Sequence, residues 1–312
     1  MGLVVDATCD LPEAFLRDND IRVLPIHIRL GDDLLVDARD PEATLHFYAN
    51  HLAESGLEAE TVPYTAEEIR EEFLKRIVLD FDCVFVLTVT STRSPIFENA
   101  QKASFAILND YKAVREQHQV SGPFSMRVID SRSLFCGTGV LAAEAVRLIG
   151  EGLAQNQIRK QLDELRDHIS AYMVPADLYY VRTRAKKKGE KSVGLMTYAI
   201  GSALDIKPVL HAYRGETKPV AKVRHYEAAV EQLMAYTCRR IADGLRTPTV
   251  CLSYGGDPTE IGKLPGYTEL AATARQHGVQ LLTSIMSATA AVNAGGGGIA
   301  VAFAADPKPF KD

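Results

Sequence analysis

The sequence is short of the residues and patterns that would mark several common functions. Its five cysteines, Cys9, Cys83, Cys136, Cys238 and Cys251, are odd in number and form no Cys-x-x-Cys pair. That argues against a disulfide framework or a zinc site and for a reducing compartment. Basic residues are not in excess: 35 Lys and Arg stand against 40 Asp and Glu, a formal net charge of −5. The basic footprint of a nucleic-acid binder is missing. No basic n-region and apolar h-region open the chain, which goes straight into the strand-like Leu3-Val4-Val5-Asp6, so no signal peptide is expected.

Enzyme signatures are missing as well. Gly137-Thr138-Gly139 lacks the third glycine of a dinucleotide-binding turn. There is no P-loop, no His-Glu-x-x-His and no Gly-x-Ser-x-Gly. The histidines, at 27, 46, 51, 118, 168, 211, 225 and 277, show no ligand spacing with a carboxylate between them. No nucleophile has an identifiable partner base. One long uncharged stretch, Ser287 to Ala305, approaches the length of a membrane span. Its four consecutive glycines, Gly295 to Gly298, and Asn293 favour instead a buried loop followed by a strand.

What is present is ample material for a core, with 46% hydrophobic and 24% charged residues in 312, enough for two ordinary domains. Strand-like runs at Leu3–Asp6, Ile21–Leu30, Cys83–Val89 and Met126–Ile129 alternate with helical patterns. The helices are expected after Asp10-Leu11-Pro12-Glu13, with Asp10 as cap, and at Pro41–Leu52, capped by Asp40. Others are expected at Thr65–Arg76, Pro95–Gln117 and Val140–Ile149. Such alternation implies a mainly parallel sheet with helices on both faces. A polar, glycine-bearing stretch near 150–157 suggests a boundary, giving domains 1–155 and 156–312. The second half reads as a helix at Ile158–Ile169, a strand at Ala171–Val174, helices at Leu178–Arg184 and Val193–Leu204, and a hairpin around Arg214-Gly215-Glu216. Helix Tyr226–Asp243, strand Thr249–Tyr254, helix Thr259–Gln276 and strand Gln280–Ile285 follow.

Three polar loops fall at the carboxyl ends of the first-half strands, where open α/β sheets bind ligands. They are Asp6-Ala7-Thr8-Cys9-Asp10, Thr88-Val89-Thr90-Ser91-Thr92-Arg93-Ser94 and Asp130-Ser131-Arg132-Ser133. Taken alone, Thr90, Ser91 and Ser94 also fit a helix cap, and Asp6 and Asp10 fit organisers of the first loop.

These blocks, with Gly31…Asp37-Ala38-Arg39-Asp40, Glu60-Thr61-Val62-Pro63, Gly137-Thr138-Gly139 and Gly201-Ser202-Ala203-Leu204-Asp205-Ile206-Lys207-Pro208, stand in the order of the DegV family's motifs. The chain resembles a divergent member of that family of bacterial lipid-binding proteins. The resemblance implies a two-domain α/β fold, with an N-terminal mainly parallel sheet, a C-terminal mixed sheet and a ligand site between them. It implies a bound long-chain fatty acid as ligand, no other cofactor, no metal and no catalysis by the chain itself. The head group would fall to Thr61, Thr90, Ser91, Arg93, Ser94 and Asn293, with Asn293 standing where the family has a histidine. Asn cannot become a cation or relay a proton. A fatty acid kinase as partner would dock on the basic run carrying Arg182, Arg184, Lys186 and Lys187. A different small anionic ligand, bound or converted through Arg93 and Asn293, is the alternative, and a protein-interaction module built on residues 182–191 is a third reading.

Overall fold

A computed structural model describes residues 1–52, 59–178 and 205–310. The helices expected at Leu178–Arg184 and Val193–Leu204, and the basic run with Arg182, Arg184, Lys186 and Lys187, lie outside the described residues but for Leu178.

The first half is built on four parallel strands in the order β2-β1-β6-β7: β1 (Gly2–Asp6), β2 (Ile21–Leu24), β6 (Cys83–Thr88) and β7 (Ser125–Asp130). Their continuous apolar runs follow from burial on both faces. Leu3, Val5, Phe85 and Leu87 fill one core, while Val4, Val84, Val86 and Val128 fill the other. The outer core is closed by α3 (Ala66–Glu72), α5 (Ile96–Ala106) and α6 (Tyr111–Gln117), through Ile69, Ile96, Ala100 and Tyr111. Between α3 and β6, a π-helical turn, Phe73–Ile77, leads into the short α4 (Val78–Asp80).

The expected strand Ile21–Leu30 is two strands. Pro25 has no amide to continue the ladder, and the chain leaves the parallel sheet there. It enters a three-stranded antiparallel sheet of β3 (Ile26–Leu30), β4 (Asp33–Asp37) and β5 (Ala59–Pro63). Helix α1 (Glu13–Asp18) precedes β2, and α2 (Pro41–Ala49) follows β4 with Asp40 capping the Ala43 amide at 2.7 Å. The expected helix Pro95–Gln117 is divided at Asp110, whose carboxylate is gripped by Arg70 at 2.6 Å.

The second half carries a six-stranded mixed sheet, β10-β9-β8-β13-β11-β12. Its strands are β8 (Ile169–Val174), β9 (Ile206–Tyr213), β10 (Glu216–Arg224), β11 (Thr249–Tyr254), β12 (Gln280–Ile285) and β13 (Ile299–Ala304). Among the described residues, only β11 and β12 of this sheet pair in parallel. Its outer face, with Val209, Leu252, Val301 and Phe303, is covered by α9 (Tyr226–Asp243) and α10 (Tyr267–Gln276). The expected helix Thr259–Gln276 is interrupted at Gly266, which sits at φ +78°. Within the Ser287–Ala305 stretch, β13 is preceded by a short helix, α11 (Ala288–Ala294), where a loop was expected.

Between the two large sheets lies α7 (Cys136–Gly150), followed by α8 (Gln155–Leu165). Leu141, Ala142 and Ala145 of α7 share one core with Leu3, Phe85, Ala300 and Ala302, so the helix belongs to both halves. Close approach explains its glycines: a Cβ on Gly139 would lie 2.9 Å from the Asp10 carbonyl oxygen. Gly139→Ala is therefore expected to lower stability by about 2 kcal/mol through overpacking. Urea unfolding monitored by far-UV circular dichroism measures the loss.

Candidate site between the two sheets

The first loop is organised by Asp6. Its carboxylate accepts the Thr8 amide (2.9 Å), the Thr8 hydroxyl (2.6 Å) and the Val89 amide (2.6 Å), tying loop one to loop two. Burial pushes the Asp6 carboxyl up, and these bonds pull it back in part.

Asp10 is not the cap of the helix that follows, as expected from Asp10-Leu11-Pro12-Glu13. The helix begins at Glu13, after Pro12, with no side-chain cap. Asp10 is instead buried, accepting the Ser287 amide at 2.9 Å and the Arg39 guanidinium at 3.3 Å. Arg39 also donates to the carbonyls of Leu11 (3.3 Å) and Ile285 (3.0 Å). Asp37 accepts the amides of Arg39 (3.1 Å) and Thr289 (2.8 Å), and the Tyr48 hydroxyl donates to Met286 O at 3.1 Å. The segment 285–289 is thus fastened to the first half by a buried polar seam. Burial drives the Asp10 carboxyl up to about 6, against the pull of the Arg39 charge. Burial likewise raises the thiols of Cys9, Cys136 and Cys251, which keeps them protonated and unreactive near neutral pH.

Loops two and three hold each other. The Thr90 amide donates to Ser133 O and the Ser131 amide to Thr88 O, both at 3.0 Å. The Ser91 hydroxyl donates to Asp130 at 2.6 Å, so its proton is spent within the first half. The Thr90 and Thr92 hydroxyls meet at 3.1 Å, and the Thr92 hydroxyl donates to Gly215 O at 2.7 Å. Ser94 Oγ accepts the Ile96 amide two residues on at 3.3 Å, just before α5, which leaves its own proton to donate. Arg93 is half-buried, and burial lowers its pKa.

Thr61 lies on β5 opposite Ile28 of β3, on the face that includes Ala59. Ile28 and Ala59 pack there against Ala288, Ala291 and Val292 of α11. The helix bearing Asn293 therefore belongs in sequence to the second half but is seated on the small sheet of the first, next to the strand bearing Thr61. Asn293 donates Nδ2 to Thr289 O at 2.8 Å, one turn back, which commits one amide hydrogen and leaves the other. The far end of β5 is joined to α5 by Asn99 Nδ2 donating to Tyr64 O at 2.8 Å. Thus α11, bearing Asn293, packs on the sheet that includes β5 and Thr61, and α5, which follows Ser94, is bonded to the chain just beyond β5. Thr90 and Ser91 shape the adjoining loop. Among the described residues, no group of three or more His, Cys, Asp or Glu is placed to hold a metal ion.

The sequence pattern did not disclose Arg39, Thr92 or Gly215 as parts of this interface. Arg39 stands among acidic residues in the sequence, Asp37 and Asp40, and resembles a solvated charge. Its burial follows from contacts with residues almost 250 positions away.

Two α/β halves around a shared helix, with polar loops gathered at the carboxyl ends of the parallel strands, define a ligand-binding class of fold. A family model described as "Uncharacterised protein, DegV family" matches residues 1–306. A DegV domain-containing protein of Xanthomonas campestris pv. campestris is 53% identical over 310 residues, covering 99% of each chain. The chain belongs to the DegV family. A fatty acid-binding protein of Thermotoga maritima is 28% identical over 237 residues, 74% of each chain. Among solved structures, a stearic acid-binding protein of Eubacterium ventriosum aligns with a TM-score of 0.78 at 20% identity, over 97% of this chain and 98% of its own. A DegV lipid binding protein of Thermotoga maritima aligns with a TM-score of 0.75 at 23% identity, over 98% and 99%.

Proposed function

We propose that this protein binds a long-chain fatty acid, or a similar single-chain lipid, between its two halves and carries it without altering it. What supports this reading is the seating of α11, which carries Asn293, on the small sheet beside Thr61, with α5 bonded to the chain just beyond that strand. The solved relatives named for lipid binding share the whole fold. The carboxylate would receive protons from the Thr61 and Ser94 hydroxyls and the second Asn293 amide hydrogen, at the N-terminal end of α5. Thr90 and Ser91 fix the loop, and Arg93 supplies positive charge beside it.

The acyl chain supplies most of the affinity. About 14 buried methylenes at ~0.8 kcal/mol each give ~11 kcal/mol before the costs of association. A head group so anchored needs satisfaction of its oxygens more than a salt bridge.

Presentation to a partner fatty acid kinase would use Arg182, Arg184, Lys186 and Lys187, in the cytoplasm. No helix among the described residues is long and apolar enough to cross a membrane. The partly desolvated Arg93 guanidinium favours a second reading, a smaller anionic ligand paired with Arg93 and Asn293.

The protein purified without added lipid, then denatured and extracted, is expected to release close to one equivalent of fatty acid by mass spectrometry. Release of a polar phosphate or carboxylate metabolite instead would support the second reading and overturn the first.

A further inference from the structure

We propose that the tip of the β9–β10 hairpin is a gate on the crevice, and that Thr92 is the positioning residue that holds it shut. This rests on the reading that a lipid lies between the halves with its head group at the Thr90–Ser94 loop. Both backbone polar atoms of Gly215, at the hairpin tip, are taken by the first half. Its carbonyl accepts the Thr92 hydroxyl at 2.7 Å, and its amide donates to Arg132 O at 2.7 Å. On the same side, Arg214 Nε donates to Asp167 O at 3.1 Å, and Arg132 pairs with the Asp167 carboxylate at 2.7 Å.

The contact is tight enough to specify glycine. Gly215 sits at φ +82°, and a Cβ there would meet Thr90 Oγ1 at 3.1 Å and Thr92 Cγ2 at 3.3 Å. Beneath the hairpin, the gap lined by Leu134, Phe135, Met173, Leu210 and Thr217 measures about 20 Å³. That is room for about one water, against the roughly 300 Å³ or more of a site for a drug-sized ligand. An acyl chain does not fit in this gap as it stands.

The hairpin is built to lift. Among the described residues, strand β10 is the edge of its sheet and pairs with β9, and its register is irregular between Pro219 and Ala221. Raising the tip would break the Gly215 bonds to Thr92 and Arg132 and the Arg214 bond to Asp167, with the end of the β8–β9 ladder at Tyr213 as its hinge. The hydroxyl protons also couple the gate to the loop. With the Thr92 proton given to Gly215 O, the Thr90 hydroxyl donates to Thr92 Oγ1. Lifting the tip releases the Thr90–Thr92 pair from Gly215 and uncovers the loop, while the head group itself is left to Thr61, Ser94 and Asn293.

The test uses the full-length protein and cis-parinaric acid, a fluorescent fatty acid, in stopped-flow binding and displacement. Thr92→Val is expected to speed both association and dissociation about tenfold while Kd moves less than about threefold. Thr92→Ser keeps the hydroxyl and stays near wild type. Amide hydrogen exchange at Gly215, read by NMR, is expected to quicken at least tenfold in Thr92→Val and not in Thr92→Ser. Unchanged exchange at Gly215 overturns the clasp itself. A weaker Kd with association unchanged overturns the gate and makes Thr92 a head-group contact. If wild type fails to bind cis-parinaric acid, the lipid reading falls, and the Gly215 exchange still decides whether the clasp exists.

Discussion

Arg39→Met is expected to destabilise the protein by about 3–5 kcal/mol at pH 8, because it strands the Asp10 carboxylate without its cation in a buried seam. The loss has a defined pH dependence. Burial already raises Asp10 from an ordinary value of 3.8 to about 6. A carboxyl raised on folding holds its proton more tightly in the folded state than in the unfolded one. Its contribution to stability is therefore fully present below about pH 4 and is lost as the pH rises through about 6. Without Arg39 the folded-state value rises further, so protonation relieves the variant over a wider range. Urea unfolding at pH 5 and pH 8 is expected to show the larger deficit at pH 8. Asp10→Asn combined with Arg39→Met is expected to recover part of it at pH 8 by removing the unpaired charge. An equal deficit at both pH values would mean that lost packing, rather than the stranded charge, dominates.

The second large effect is on binding. Thr61→Ala and Ser94→Ala each remove one hydroxyl donor to a charged head group, worth about 1.5 kcal/mol. Affinity for cis-parinaric acid is expected to fall roughly tenfold for each and about a hundredfold for both together. Neither side chain belongs to the buried core, so the thermal midpoint is expected to move by no more than about 2 °C. Ser91→Ala serves as the comparison. Its proton already goes to Asp130, so it should cost far less affinity. Arg93→Met abolishing binding while Thr61→Ala/Ser94→Ala leaves it intact would favour the smaller anionic ligand.

The sequence discloses this fold best where a run of residues has one environment. Cys83–Val89 is uniformly apolar because both faces of β6 are covered, and the expected strand differs from the observed one by a single residue. Helix Tyr226–Asp243 and strand Thr249–Tyr254 stand where the pattern puts them. It discloses least where two elements share one pattern. Periodicity continues across Asp110, so the division of Pro95–Gln117 depends on a tertiary contact from Arg70 that no local window contains. The exposed strand β4 carries Leu34 and Val36 on its open side and shows no alternation of apolar and polar residues, so it was not expected.

The site divides in the same way. Hydroxyl-rich loops after buried strands are readable because their position in the fold is. The partners of those hydroxyls are not. Ser91 and Ser94 look equivalent in the sequence, yet one spends its proton on Asp130 and the other accepts an amide and keeps its own. Asn293 was expected to face a head group with its amide, and one of its two hydrogens is bonded within α11. Arg39 gave no sign of burial, because its partners Asp10 and Ile285 come from opposite ends of the chain.

The central claim is a fatty acid carboxylate held by neutral donors between the two halves. Carbon-13 NMR of carboxyl-labelled palmitate added to the full-length protein tests it most directly. One slowly exchanging bound resonance is expected, titrating well below the range of palmitate in micelles because the donors favour its ionised form, and displaced in Thr61→Ala/Ser94→Ala. A labelled carboxyl that shows no bound resonance, or one that titrates as it does in micelles and ignores both substitutions, would contradict the account.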